Sequence, residues 1–423
     1  MKILMVNKFL YLNGGSEIYM LKLGAYLQKL GHEIQYFGMK DERNIVGNQY
    51  DAYTENVDFH ANSGGIVKKL KTASAAVYSV DAKKRIQEVL QRFQPDLVHM
   101  NNINFQVTPS IIYVIKEYGI PIIQTVHDVQ IACPNHRFYI EHNHRICEQC
   151  QNGAFWKCIK NRCVQGSIAK STLAAVESYY YHLRNTYNLI DIYICPSQFI
   201  AARIKSAGVK DKAIHVMYNF SDNVEENQES NIDSPYALYF GRLSQEKGME
   251  TLLTVCEKLP DVRVIFAGTG PLENKLKMAA GLYKNIEYVG FKKGLELQNL
   301  IAGARFSIYP SEWYENCPLS VIESQALGTP VIGSDLGGIK ELIEHGETGL
   351  IFMGCNSEAL SQSIQKLWDD DLLVSEMRKK CKAKTSNTIE TYSNQLLDIY
   401  NKLIKQKIYG GNCNGKVRVL ADK

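Results

Sequence analysis

Short unbroken apolar runs recur along this chain of 423 residues, each ending in a polar or glycine-bearing turn that opens a helical pattern. The first is 2–7 (KILMVN), followed by Gly14-Gly15-Ser16-Glu17 and a helical pattern to about residue 30. Runs at 32–37, 96–100, 121–127, 191–195 and 214–218 repeat it in the first half; runs at 236–240, 262–267, 286–290 and 305–309 repeat it in the second. Such runs are short and carry no polar face, as parallel strands covered on both sides require. Strand alternating with helix implies right-handed crossovers and a parallel sheet. The expected class is α/β, with ligands gathered at the carboxyl ends of the strands.

A chain this long exceeds what one core supports, so two domains are expected. They read as 1–220, with an insert at 130–165, and 235–385, joined by a polar, acidic linker at 221–234. A terminal amphipathic helix over 386–408 and a loose tail over 409–423 complete the chain. No apolar run reaches the roughly 18 residues that a membrane span needs, and MKILMV is too short for an export signal, so a cytoplasmic protein is expected.

Charge is uneven. Residues 1–220 hold 25 Lys and Arg against 17 Asp and Glu, net +8, which leaves 23 against 27, net −4, for the rest. A basic first half fits an anionic partner, such as lipid headgroups at the inner face of the plasma membrane or a diphosphate-linked acceptor; solvated helix faces give the same imbalance. Lys68, Lys69, Lys71, Lys83, Lys84 and Arg85 flank apolar positions that either dock on a membrane surface or pack on a sheet. Nothing in the pattern points to nucleic acid.

The chemistry concentrates at 309–352. Glu315 lies in a loop after the run at 305–309, and Glu323 lies in a helix expected from Leu319 to about Leu327, with Asn316, Cys317, Pro318, Leu319 and Ser320 between the acids. A helix start offers unpaired N–H groups and a positive dipole end to a phosphate, while carboxylates accept from sugar hydroxyls. Gly14 and Gly15 let a backbone approach a ligand, with Ser16 placed to cap the helix that follows. Arg242 and Lys247, in a loop bounded by Gly241 and Gly248, combine a planar fork and a movable point charge suited to one diphosphate. Gly268-Thr269-Gly270-Pro271 makes a further strand-to-helix turn near the nucleotide, with Pro271 at the first helical position; its spacing is not that of NAD binding. His127-Asp128 stands at a strand end.

Glu315-x7-Glu323, followed by GTPVIGSDLGG and GETGLIF, resembles the E-x7-E signature of the retaining glycosyltransferases of family 4, and GRLSQEKG at 241–248 resembles that family's second signature. The resemblance implies a GT-B fold: two Rossmann-like domains with parallel sheets facing across a cleft, an acceptor-binding first domain, a donor-binding second domain and a terminal helix crossing back. It implies a hexosyl unit moved from a nucleotide-diphosphate sugar, UDP favoured, to a glycan or lipid-linked acceptor in cell-surface polysaccharide synthesis. In that scheme Arg242 and Lys247 stabilise the leaving diphosphate without a catalytic metal, Glu315 accepts from the sugar, Glu323 from the ribose, and His127 lies beside the sugar. Gly14, Gly15, Gly241, Gly270 and residues 316–320 complete the donor site. A phosphorylase- or epimerase-like enzyme, a non-catalytic GT-B scaffold and a zinc-dependent interaction module are the competing readings.

Cys147-x2-Cys150-x7-Cys158-x4-Cys163 interrupts the α/β pattern within the insert. Two close pairs can close a structural zinc site in a segment with little core of its own. An iron–sulfur or redox role and free thiols stay open beside zinc. Some family members resemble this insert, including CPN at Cys133–Asn135, without revealing its purpose.

Overall fold

The computed structural model describes residues 1–56, 73–221, 235–384 and 387–410. The expected linker beyond Ser221, the basic positions Lys68, Lys69 and Lys71, and the tail beyond Gly410 lie outside them. In chain order the strands are β1 (Lys2–Val6), β2 (Glu33–Phe37), β3 (Leu97–Met100), β4 (Ile122–Thr125), β5 (Tyr139–Ile140), β6 (Arg145–Ile146), β7 (Ile192–Cys195) and β8 (Ile214–Val216). They continue as β9 (Ala237–Phe240), β10 (Val264–Ala267), β11 (Ile286–Tyr288), β12 (Phe306–Tyr309), β13 (Val331–Ser334) and β14 (Gly349–Phe352). Two six-stranded sheets result, ordered β2-β1-β3-β4-β7-β8 and β11-β10-β9-β12-β13-β14, with every pairing parallel. β3, β4, β9, β10, β12 and β13 are buried at every position, which accounts for their lack of a polar face.

Helix starts fall into two kinds. Ser79, Ser167, Ser197, Asn356 and Asp370 each accept a backbone N–H three residues on and so cap their own helices. The helices Gly15–Lys29 and Leu319–Ala326 begin at Gly14 and Pro318 with no side-chain cap. Ser16 does not cap, contrary to the expectation: the helix already starts at Gly15, and the Ser16 hydroxyl turns to the Glu17 carboxylate at 3.0 Å.

In the helix Val80–Phe93, the side chains of Ile86, Val89, Leu90 and Phe93 are buried in the first-domain core. Arg85 pairs with Asp81 at 3.5 Å, and Lys83 donates to the Tyr78 hydroxyl at 2.9 Å. This apolar stripe therefore packs on the sheet and does not face a membrane. Among the described residues no helix is long and apolar enough to cross one.

The last helix, Ile389–Gly410, extends past the expected end and lies against the first domain. Tyr392, Leu396, Tyr400 and Leu403 are buried in one cluster with Ile3, Met5, Tyr19 and Leu23. Its hydroxyls enter a buried chain: Tyr392 to Tyr19 at 2.6 Å, Tyr19 to Thr125 at 3.1 Å, Thr125 to His99 Nε2 at 2.8 Å, and His99 Nδ1 to Tyr400.

Candidate active site

A cleft of about 780 Å³ runs between the domains, lined by the carboxyl-end loops of both sheets. Lys8, Gly15, Asn102, Asn104, His127, Asp128 and His136 line it from the first domain; Gly241, Lys247, Glu315, Leu319, Ser320 and Glu323 line it from the second.

Lys247 and Glu315 form the second-domain floor. Lys247 Nζ sits 2.5 Å from Glu315 Oε1 and 3.2 Å from the Tyr309 hydroxyl, over the rings of Tyr309 and Trp313. Burial works against the ammonium charge, but the neighbouring Glu315 carboxylate overrides it and holds the Lys247 pKa well above its ordinary value. The same Oε1 accepts from Ser311 Oγ at 2.9 Å and Trp313 Nε1 at 2.5 Å. Gly248 makes this approach possible. Its φ is 73°, and a Cβ there would stand 1.9 Å from the Pro310 carbonyl oxygen.

The next residues close the interdomain seam. Asn316 Nδ2 donates to the Val126 carbonyl at 2.8 Å and reaches the His127 carbonyl at 3.4 Å, while its Oδ1 accepts from Ser197 at 2.8 Å. The Asn316 amide, expected at the donor, is thus committed to the facing domain. Cys317 is buried: its sulfur accepts from the Asn219 N–H at 3.3 Å and its carbonyl from Asn219 Nδ2 at 2.8 Å. Pro318, Leu319 and Ser320 then open the uncapped helix, with Glu323 one turn in, towards the cleft. A Cβ built on Gly15 would lie 3.9 Å from Leu319 Cδ1, so two open helix starts, one from each domain, face each other.

On the first-domain wall, His127 is half-buried, with Nε2 2.9 Å from Asn101 Oδ1 and its ring against Tyr19. Burial pushes its pKa down to about 3, so at neutral pH it is uncharged and donates to that amide oxygen from Nε2. Asn104 is the hub of the remaining wall. Its Oδ1 accepts from Lys8 Nζ at 2.6 Å, and its Nδ2 donates to Asp128 Oδ2 at 3.1 Å and His136 Nδ1 at 3.0 Å. His136 stacks on Phe105, and both adopt positive φ, 66° and 61°. Bulky side chains in that region signal backbone held by its surroundings.

Three expected donor contacts are not assembled here. The Arg242 side chain is exposed and lies outside the cleft lining; no hydrogen bond or ion pair among the described residues occupies its guanidinium. Gly14 also lies outside the lining, although Gly15 is in it. Gly270 serves packing: a Cβ there would stand 2.4 Å from the Leu243 carbonyl oxygen. The helix after Pro271 begins at Glu273, so Pro271 precedes it and does not occupy its first position.

Cys147, Cys150, Cys158 and Cys163 form no disulfide. Cys150, Cys158 and Cys163 lie in one apolar cluster with Ile140, Phe155 and Ala175, and Cys147 packs at its edge. Among the described residues no three His, Cys, Asp or Glu side chains are grouped to hold a metal ion. Cys158 and Cys163 share a side-chain hydrogen bond inside the cluster.

Sequence reasoning missed Trp313, Asn101, Lys8, Asn104 and the pair Lys292-Lys293, which lines the cleft where the helix Gly294–Gly303 begins. The lysine pair carried a signal, two cations after a strand and before a glycine. The others could be found only by knowing which strand ends meet.

Two family profiles match in tandem: Glycosyltransferase Family 4 over residues 13–223 and Glycosyl transferases group 1 over 221–388. A sulfoquinovosyl transferase of Arabidopsis thaliana is 25% identical over 292 residues, 65% of this chain and 50% of that protein. The alpha-D-kanosaminyltransferase of Streptomyces kanamyceticus is 26% identical over 180 residues, 40% of this chain and 46% of that protein. The chain thus spans about half the length of the curated relatives it matches. Among solved structures, HepE of Anabaena in complex with UDP superposes with a TM-score of 0.67 at 17% identity, covering 95% of this chain and all 100% of that one. WaaG, a glycosyltransferase involved in lipopolysaccharide biosynthesis, gives 0.61 at 13% identity, covering 94% and 99%. With both parallel sheets and both profiles in register, the chain belongs to the family 4 glycosyltransferases of GT-B fold.

Proposed function

We propose that this chain is a retaining glycosyltransferase that moves a hexosyl unit from a UDP-sugar to a glycan or lipid-linked acceptor in cell-surface polysaccharide synthesis. The observation that carries this reading is the pair of uncapped helix starts, at Gly15 and Leu319, facing each other across the cleft beside Lys247. Two sets of open N–H groups and two positive dipole ends form a site for one diphosphate. They stabilise the charge that develops on the leaving group as the anomeric C–O bond breaks, so the scheme asks for no catalytic metal. Complexes of HepE with UDP and with UDP-glucose support the choice of base.

Glu315, rigid because three donors hold Oε1, presents its carboxylate to the sugar hydroxyls, and Glu323 accepts from the ribose. Neutral His127 borders the sugar without adding charge beside a forming oxocarbenium carbon. The acceptor lies on the wall built by Phe105, His136, Asn104 and Lys8. Its hydroxyl attacks the anomeric carbon on the face the diphosphate leaves, and its proton passes to a leaving phosphate oxygen. A thermal-shift screen of UDP-, GDP- and dTDP-sugars, followed by NMR of the product anomer, tests the proposal. Stabilisation by a UDP-sugar and an unchanged anomeric configuration are expected; an inverted product overturns the retaining mechanism, and no response to any nucleotide sugar overturns the donor reading.

A further inference from the structure

The cysteine-rich insert does not stand apart from the cleft. Its hairpin pairs Tyr139 with Ile146 and Ile140 with Arg145, and the Cys147 N–H continues that edge to the Phe138 carbonyl at 2.8 Å. The thiol cluster lies directly behind it, because Ile140 packs among Cys150, Cys158 and Cys163. Asn135 ties the start of the insert to its end: it accepts from the Cys133 thiol at 3.1 Å and donates to the carbonyls of Tyr139 at 2.6 Å and Cys163 at 3.4 Å. The hairpin is thus fixed from behind by the cysteines.

Its front meets the loop that carries Glu315. The Tyr139 ring stands edge-on to Trp313, with centroids 6.2 Å apart and planes at 82°, and the Arg137 guanidinium lies 5.8 Å from the Trp313 ring centroid. Phe138 meets Tyr314 at 6.4 Å and 90°. Glu148, also on the insert, pairs with Arg203 at 2.7 Å, and Arg203 lies over Phe138, Phe199 and Tyr314. Burial, and then Glu148 beside its hydroxyl, pushes the Tyr314 pKa up to about 12. Trp313 and Tyr314 are the two residues before Glu315, and Trp313 Nε1 donates to the carboxylate that holds Lys247.

We infer that the cysteine-rich insert is a brace for donor binding, in which Tyr139 is a positioning residue that acts on Glu315 and Lys247 through Trp313. Edge-to-face pairs restrict ring orientation, and Trp313 must keep its ring plane fixed for its N–H to reach Oε1. A brace of this kind lowers the ordering cost of closing the site on a ligand. Tyr139 meets Trp313 through its ring, so shape carries its effect, and the Tyr139 hydroxyl, turned to His144 Nδ1 at 3.2 Å, takes no part. This assigns the insert a purpose inside the catalytic unit, although it contributes no reacting group.

The effect on donor binding rests on the proposed UDP-sugar activity, whereas the brace itself does not. The test uses the full chain labelled with 5-fluorotryptophan, with the resonance of Trp313 assigned by Trp313→Phe, and compares Tyr139→Ala with Tyr139→Phe. Tyr139→Ala is expected to shift or broaden the Trp313 resonance and weaken UDP affinity in calorimetry by roughly tenfold, while the acceptor KM holds. Tyr139→Phe is expected to restore both. A Trp313 resonance that Tyr139→Ala leaves unmoved overturns the brace, as does a moved resonance with unchanged UDP affinity. If the unsubstituted protein binds neither UDP nor any UDP-sugar, the donor reading fails, while the resonance still decides whether Tyr139 positions Trp313. Equal losses in the Ala and Phe variants also overturn the inference, since the hydroxyl would then carry the effect.

Discussion

Lys247 Nζ and Glu315 Oε1 lie 2.5 Å apart although 68 residues separate them in the chain. The lysine comes from the turn after β9 and the glutamate from the loop after β12, and these strands are neighbours in the sheet. Adjacent strand ends therefore bring a cation and a carboxylate to one point without a long loop. The pair is largely buried, at 18% and 10% side-chain exposure, so its members depend on each other.

Removing the carboxylate should separate fold from function. Glu315→Ala leaves the Lys247 ammonium buried without its counter-charge and is expected to cost about 3–5 kcal/mol. Glu315→Gln keeps an acceptor for Ser311 and Trp313 and should cost about 1–2 kcal/mol less than that. Both variants should lose sugar transfer by at least about a hundredfold. Urea unfolding and turnover of the matching nucleotide sugar check the two parts; a Gln variant with undiminished turnover removes Glu315 from the site.

Arg242 should lose function with almost no cost in stability. Its side chain is exposed and its guanidinium is engaged by no described residue, yet it follows Gly241, which lines the cleft. Arg242→Ala should leave stability within about 0.5 kcal/mol, as for surface substitutions generally. If the fork swings onto the diphosphate, UDP affinity should fall about tenfold or more, and Arg242→Lys should recover only part of it. Calorimetric titration with UDP measures both. Equal affinity in all three proteins shows that the diphosphate is held without Arg242.

The α/β class and the second-domain motif were legible because they depend on local pattern. Runs such as VIFA at β10 and FSIY at β12 are buried on both faces, and Glu315 and Glu323 share one loop and helix. What escaped was the commitment of side chains to partners far along the chain. Asn316 reads locally as a donor ligand, but its amide meets Val126, 190 residues earlier. Gly270 reads as part of a turn near the nucleotide, but what its missing side chain clears is the Leu243 carbonyl. The cysteine spacing permits a tetrahedral site, but the spacing does not say that Cys150, Cys158 and Cys163 share one buried cluster with Phe155 and Ile140. Local residue types suggest a chemistry; long-range packing decides which atoms remain available for it.

The terminal helix should be an integral part of the first domain. His99 is fully buried and burial pushes its pKa down to about 3, so it is neutral, with one nitrogen to Thr125 and the other to Tyr400. Tyr400→Phe removes the hydroxyl and strands one imidazole nitrogen, with an expected cost of about 1–3 kcal/mol. Because His99 lies outside the cleft lining, UDP affinity should hold. Chemical denaturation with parallel UDP titration checks both; an unchanged unfolding midpoint shows that the hydrogen-bonded chain is not stabilising.

Glu177 gives stability a pH dependence with a definite sign. It is 3% exposed in the helix Ile168–Leu183, with Oε1 accepting from Gln130 Nε2 at 3.3 Å. Burial raises its pKa to about 8. The folded state then binds the proton more tightly than the unfolded one, whose carboxyl has a pKa of about 4.3. The group's contribution is complete below the unfolded value and is lost as pH rises through the folded one. Glu177→Gln keeps the shape and an acceptor for Gln130 but has no charge to bury. The variant should match the parent near pH 4 and exceed it by on the order of 3 kcal/mol at pH 8. Urea midpoints taken across this window give the difference directly. A gap that does not widen with pH means that Glu177 does not carry the titration.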